Sequence, residues 1–124
     1  MIENSSSPVT ISIDQKKRRI RIYKSMLQLL DIPKYIQLLV NPNNKHVAIK
    51  AVDKPTPGDQ TERIKPQEIM VNDSYELYSK SFVEKLCKVD SRIEPNCTYR
   101  LTGKIVTSHR MAVFSLETFT RVEL

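Results

Sequence analysis

Glycine is nearly missing from this chain: Gly58 and Gly103 are the only two in 124 residues. Loops that cradle phosphates need several positions without a Cβ, so neither a dinucleotide-binding G-x-G-x-x-G nor a P-loop can be written. Tryptophan is absent, and cysteine is limited to Cys87 and Cys97. Two cysteines are too few for a disulfide scaffold, and no second pair or histidine cluster accompanies them. Both are expected as free thiols in a cytoplasmic protein. No apolar run approaches the roughly 20 residues that span a bilayer. The longest, Met26 to Val40, is broken by Asp31, Pro33 and Lys34. The first residues, Met1-Ile2-Glu3-Asn4-Ser5-Ser6-Ser7, have neither the basic start nor the apolar stretch of a signal peptide.

Catalytic and metal chemistry are also poorly provided for. His46 and His109 have no second histidine, cysteine or carboxylate at metal-ligand spacing, and they read as surface residues near turns. Cys87 falls on the apolar face of a helix with Val83. Cys97 has Thr98 rather than a base beside it, so an activated thiolate is not expected. Glu84, Asp90 and Glu94 are accounted for by helix capping and a polar helix exit, and no serine has a positioned histidine and acid. The expectation is a protein without enzymatic activity, cofactor or metal.

What is present is charge, placed unevenly. The formal net charge is +6. Residues 1–60 carry ten Lys/Arg against five Asp/Glu, whereas residues 61–124 carry ten against nine. Any surface for a polyanion therefore belongs to the first half.

Along the chain, residues 1–8 are polar and serine-rich and read as a disordered tail. Val9, Ile11 and Ile13 share one face of a strand. After Asp14-Gln15-Lys16-Lys17 the alternation resumes at opposite parity with Ile20 and Ile22, which requires a turn or bulge. Ser25 followed by Gln28 forms a capping-box pattern opening a short helix, and Pro33 ends it. Tyr35 to Val40 and Val47 to Val52 read as a hairpin around Asn41-Pro42-Asn43-Asn44. Residues 54–67, with three prolines and a glycine, read as a linker.

The same order then returns. Ile69-Met70-Val71 reads as a short strand, Asn72-Asp73-Ser74 as a turn and Tyr75 to Tyr78 as a second strand. Lys80-Ser81-Phe82-Val83-Glu84-Lys85-Leu86 parallels Lys24-Ser25-Met26-Leu27-Gln28-Leu29-Leu30, with Ser81 and Glu84 as a second capping box. Tyr99 to Leu101 and Met111 to Leu116 supply a second hairpin. The predicted fold is mainly β with short helices (α+β): two tandem strand–strand–helix–hairpin repeats, residues 9–53 and 68–124. One such unit is too small to bury its own faces, so two would close a shared core. Ile11, Ile13, Ile20, Ile22, Leu27, Leu30, Ile36, Leu38, Val40, Val47 and Ile49 would line that core in the first copy.

The stretch Ile13 to Ile49 resembles the swapped-hairpin (SpoVT-AbrB) family of AbrB-type regulators, MazE-type antitoxins and MraZ regulators. Asp14-Gln15-Lys16-Lys17-Arg18 resembles that family's Asp-x-x-x-Arg element, and Leu30-Asp31-Ile32 stands where Leu-Gly-Ile ends the helix. Lys17 occupies the place of a turn glycine, and Ile22-Tyr23 replaces an Ile-Pro. Asp73 has Leu77 rather than arginine four positions on, so the second repeat matches in architecture only. The resemblance implies a pseudo-symmetric AbrB-like barrel, two units per chain as in MraZ, and a turn-and-strand region that faces DNA.

Lys16-Lys17-Arg18-Arg19-Ile20-Arg21-Ile22-Tyr23-Lys24 carries six basic residues in nine. On a strand, Arg19, Arg21 and Tyr23 share the face opposite Ile20 and Ile22. The expected function is a double-stranded-DNA-binding transcriptional regulator in which Lys16, Lys17, Arg18, Arg19, Arg21 and Lys24 contact phosphates and an arginine or two reads bases. Only one repeat is basic, so a homodimer or larger homo-oligomer is expected to place two reading surfaces on adjacent half-sites. The alternatives are an antitoxin-like or phage-type module holding a protein partner through the second repeat, and RNA binding through exposed tyrosines.

Overall fold

In the computed structural model, which describes residues 8–55, 61–71 and 73–122, the alternation of the first half becomes strand where it was expected. β1 (Val9–Asp14) turns back into β2 (Arg19–Tyr23), α1 (Lys24–Leu29) follows at once, and β3 (Tyr35–Asn41) and β4 (His46–Val52) form a hairpin. The parity switch is a turn over residues 15–18: Asp14 Oδ1 accepts the Lys17 amide at 3.0 Å and Arg18 is left-handed at φ 53°. Asp14 then pairs with Arg19, which puts Ile11 opposite Ile22 and Ile13 opposite Ile20 on the inner face.

The helix end also follows local chemistry. Asp31 takes φ 63°, Ile32 N–H donates to Leu27 O at 2.9 Å, and Asp31 N–H donates to Gln28 O at 3.0 Å. These two bonds satisfy two of the carbonyls that the end of α1 leaves free, those of Leu27 and Gln28.

The second half contains β5 (Thr61–Arg63), α2 (Pro66–Val71), β6 (Ser74–Tyr78), α3 (Lys80–Val89), β7 (Thr98–Val106) and β8 (Met111–Val122). Three expectations need correction. Ile69-Met70-Val71 lies in helix α2, not in a strand, and Pro66 opens that helix, where its missing N–H costs nothing. The capping boxes are not used: α1 begins at Lys24 after Tyr23 with no side-chain cap, and α3 is capped by Ser79, whose Oγ accepts Phe82 N–H at 3.4 Å. Each helix starts earlier than its Ser-x-x-Gln/Glu pattern implied, so Ser25 and Ser81 lie inside the helices. β5, finally, falls within the stretch read as linker; three residues with no apolar alternation gave no strand signal. Residues 1–7 of the expected tail, and Asn72 of an expected turn, lie outside the described residues.

The eight strands of the described residues join one antiparallel sheet in the order β5-β3-β4-β8-β7-β1-β2-β6, curled into a nearly closed barrel. β5 and β6 end the sheet, and Tyr75 of β6 spans the opening: its hydroxyl donates to Arg63 O at 3.1 Å and accepts from Lys65 N–H at 3.2 Å. Ile11, Ile13, Ile20, Ile22, Leu27, Leu30, Ile36, Leu38, Val47 and Ile49 are buried as expected, and Val40 is partly buried against them. The second half adds Tyr75, Leu77, Phe82, Val83, Leu86, Tyr99, Leu101, Phe114 and Leu116 to the same cluster. Each of the larger aliphatic side chains is worth roughly 1.5–3 kcal/mol.

The two hairpins engage each other reciprocally. β3–β4 and β7–β8 are each joined by four residues, and the last of these is left-handed, Lys45 at φ 56° and Arg110 at φ 48°. Arg110 O accepts Ala51 N–H at 2.8 Å, and Lys45 O accepts Leu116 N–H at 2.8 Å. The side chains cross over as well. Arg110 Nη2 donates to Leu30 O at the end of α1 (3.1 Å), and Lys45 Nζ lies 3.6 Å from Asp90 at the end of α3. Each hairpin therefore caps the helix of the other half with a cation, the charge a helix C-terminus favours.

Candidate nucleic-acid interface

Where β7, β1, β2 and β6 run side by side, the inward residues are apolar and the outward ones polar or charged. Register fixes which outward residues meet. Arg100 of β7 stands opposite Ser12 of β1, Ser12 opposite Arg21 of β2, and Arg21 opposite Glu76 of β6. The next row is Thr98, Asp14, Arg19 and Tyr78. Adjacent strands are about 4.8 Å apart, so Arg100 and Arg21 project about 10 Å from each other across Ser12. On this outer face lies an open groove of about 490 Å³. Lys16, Lys17, Arg19, Arg21 and Arg100 line it against one carboxylate, Asp14, with Ser12, Tyr23, Asn96 and Thr98 between them.

The structure thus gathers four of the six basic residues expected at a site. Arg19 and Arg21 share the outward face of β2 with Tyr23, and Lys16 and Lys17 rise from the adjoining turn. Arg18 is turned aside: its Nη2 lies 2.9 Å from Glu84 of α3, and it lines a separate recess. Lys24, the first residue of α1, does not line the groove.

The arginines of β2 are held by carboxylates. Arg19 lies 3.3 Å from Asp14 and 3.8 Å from Glu76, and Arg21 Nε donates to Glu76 at 2.9 Å. The hydrogen bond to Glu76 raises the Arg21 pKa above its ordinary value, so the guanidinium stays charged. These side chains are 16–40% exposed, and ion pairs so solvated contribute only about 0–1 kcal/mol. They orient the guanidinium forks without consuming them. Lys16, Lys17 and Arg100 have no ion-pair partner among the described residues.

Arg100 and Asn96 were missed by the sequence reading. Nothing near Arg100 in sequence marks it out; only the pairing of β7 with β1 brings it beside the basic strand. The tyrosines provide no stacking platform. Tyr75 and Tyr99 are buried, Tyr23 and Tyr35 are half-buried, and Tyr78 stands exposed at the sheet edge. Cys87 packs partly against the core and its thiol is pushed up by burial, while His46 and His109 are exposed. No helix among the described residues is long and apolar enough to cross a membrane, and no cluster of metal-ligating side chains occurs among them. Comparison with protein-family models, curated proteins and solved structures returns no match.

Proposed function

We propose that this chain is a double-stranded-DNA-binding transcriptional regulator of the AbrB/MraZ-like type, built from two tandem strand–strand–helix–hairpin repeats. The observation that carries the reading is the groove: five cations converge from one turn and from β2 and β7, the two strands that flank β1. The groove lining itself contains one carboxylate, Asp14, with Glu76 beside it on Arg19 and Arg21. A duplex presents one negative charge per roughly 1.7 Å of axis, and its major groove admits a two-stranded β-ribbon. The β1–β2 hairpin is flanked by β7 and β6 in the sheet, so it would lay its outward face and its turn, with Lys16 and Lys17, against the duplex rather than enter the groove as an isolated ribbon. Lys16, Lys17 and Arg100 are assigned to phosphates, and Arg19 and Arg21, held by Asp14 and Glu76, to base edges or further phosphates.

The tandem arrangement is supported by strand order. Exchanging β1–β4 with β5–β8 turns the run β5-β3-β4-β8-β7-β1 into its own reverse. The reciprocal bonds of Lys45 and Arg110 obey the same exchange. Under it β2 corresponds to β6, where Ser74, Glu76 and Tyr78 replace the basic face. One chain then offers one DNA-reading surface, and two chains as a homodimer would place two on adjacent half-sites.

The test is fluorescence anisotropy with a duplex at several salt concentrations, comparing the native chain with Lys17→Ala/Arg100→Ala. The expected result is at least about tenfold weaker binding, with a salt slope lower by roughly two. An unchanged slope would remove the assignment. A protein-interaction module is the second reading; the carboxylate pairing of Arg18, Arg19 and Arg21 favours it, and a chain that ignores duplex at low salt would leave it the better supported of the two.

A further inference from the structure

Beside the groove, across the β1–β2 turn, lies a second recess of about 240 Å³. Its wall includes Gln15, Lys16, Arg18, Glu84 and Asn96, and Lys16 and Asn96 line the main groove too. The two cavities are therefore neighbours around one turn.

Gln15 is the unusual member. It is 5% exposed although it sits in a turn, because its amide N–H donates to Cys97 O at 3.0 Å and draws the residue inward. Its side-chain Oε1 accepts the Cys87 thiol at 3.1 Å, but its buried Nε2 has no hydrogen-bond partner. A buried amide donor left unpaired costs about 1–3 kcal/mol, so such a group is retained where something satisfies it. Around it stand two cations, Lys16 and Arg18, and one carboxylate, Glu84, whose Oε2 holds both Nε and Nη2 of Arg18.

A site with two cations, a neutral amide donor and one displaceable carboxylate suits an oxyanion. We infer that this recess binds a phosphoryl group: Lys16 donates to its oxygens, the Gln15 amide turns Nε2 out of its sealed position to donate as well, and Arg18 joins them by exchanging Glu84 for the ligand. The inference rests on the proposed DNA reading in one respect, that the ligand's source is the phosphodiester next to those held in the main groove. The backbone then bends around the turn instead of ending at it. The same chemistry fits free phosphate, and the experiment separates the two sources.

Inorganic phosphate is titrated into the isotope-labelled chain while the side-chain amide resonances of Gln15 and Asn96 are followed, and duplex binding is measured for Gln15→Leu and Glu84→Gln. Thermal melting of each variant verifies the fold; Glu84 is on the surface, so its variant keeps the test open if Gln15→Leu is unstable. For a nucleic-acid phosphate, Gln15→Leu weakens duplex binding about tenfold without altering the salt slope, because a neutral donor is lost. Glu84→Gln strengthens binding several-fold and steepens the slope by about one, because Arg18 is released. A Gln15 resonance that moves with millimolar phosphate, with duplex binding unchanged in both variants, assigns the recess to a free phosphate and overturns the backbone route. If neither phosphate nor either variant has an effect while Lys17→Ala/Arg100→Ala still weakens duplex binding, the recess binds no phosphoryl group and the groove assignment stands. If that double variant is silent as well, both fall.

Discussion

The outer face formed by β7, β1 and β2 and the one formed by β3, β4 and β8 share one construction principle and differ in almost every exposed residue. Both bury alternate side chains in the same core. Outward, the first presents Lys16, Lys17, Arg19, Arg21 and Arg100 around a concavity. The second presents rows such as Leu39, Ala48 and Val113, or Gln37, Lys50 and Met111, which continue onto the far end of β7 at Lys104 and Val106. A barrel wall constrains its inner face by packing and leaves its outer face free for chemistry. The difference is that the first face gathers five cations around one groove, whereas the second sets single lysines among uncharged residues.

The hairpins give the strongest test of that shared construction. Leu38 and Gly103 stand equally far before their turns, opposite Ile49 and Phe114. A Cβ on Gly103 would meet Val113 O at 2.0 Å and the Phe114 ring at 2.7 Å. The Phe114 ring and the Val113 carbonyl leave no room at Gly103 for the side chain that Leu38 carries at the corresponding place in the other hairpin. Gly103→Ala should therefore cost more than about 3 kcal/mol in urea unfolding. Leu38→Ala, a cavity mutation, should cost about 2–4. A mild Gly103→Ala would mean that the two hairpins do not pack as equivalents.

Next in size is the helix end. Asp90 is almost fully buried and takes Arg92 Nη2 at 2.7 Å and Lys45 at 3.6 Å, whereas Leu30 at the end of α1 receives Arg110 on its carbonyl. The hydrogen bond from Arg92 holds the Asp90 carboxyl well below the usual carboxylate range. A carboxyl whose pKa is lower folded than unfolded stabilises fully above the unfolded value, about 3.9, and loses that contribution as pH falls. Asp90→Asn should cost about 2 kcal/mol at neutral pH, discounted because Arg92 is solvated. It should also flatten the stability profile below about pH 4. A variant with the native acid profile would assign that sensitivity elsewhere.

Smaller effects separate the two faces directly. Arg100→Ala should weaken duplex binding about threefold to tenfold at moderate salt, whereas Lys104→Ala, on the same strand but against Val113, should leave it nearly unchanged. Equal losses would mean that net charge, not the groove, attracts the polyanion. The smallest effect concerns stability: Glu76→Gln should change it by less than about 1 kcal/mol while tightening duplex binding, because Arg19 and Arg21 lose a competing anion. Weaker binding would mean that Glu76 orients those arginines more than it competes for them.

Much of the first half was legible in the sequence. The period of two, the parity switch and Asp31 before Ile32-Pro33 are local signals, and local backbone preference decides what they encode. Its inner residues were named correctly because alternation fixes the face. α2 was misread as a strand because three apolar residues carry no usable period and the Pro66 start outweighs them. β5 went unseen because its place comes from pairing with β3, not from its own composition. At the site, the four groove cations of the first half were visible as a basic run, but the diversion of Arg18 to Glu84 and the arrival of Arg100 were not. Both depend on residues distant in sequence.

The sequence by itself determined that the chain would build β structure around an aliphatic core, and that its excess positive charge would lie at one turn and strand, because periodicity and composition act over a few residues. Only the tertiary structure decided which strands became neighbours, which arginines were claimed by carboxylates, and that β7 would bring a fifth cation to the groove. Those outcomes depend on register between segments far apart in the chain, and a single step of register turns every side chain to the opposite face.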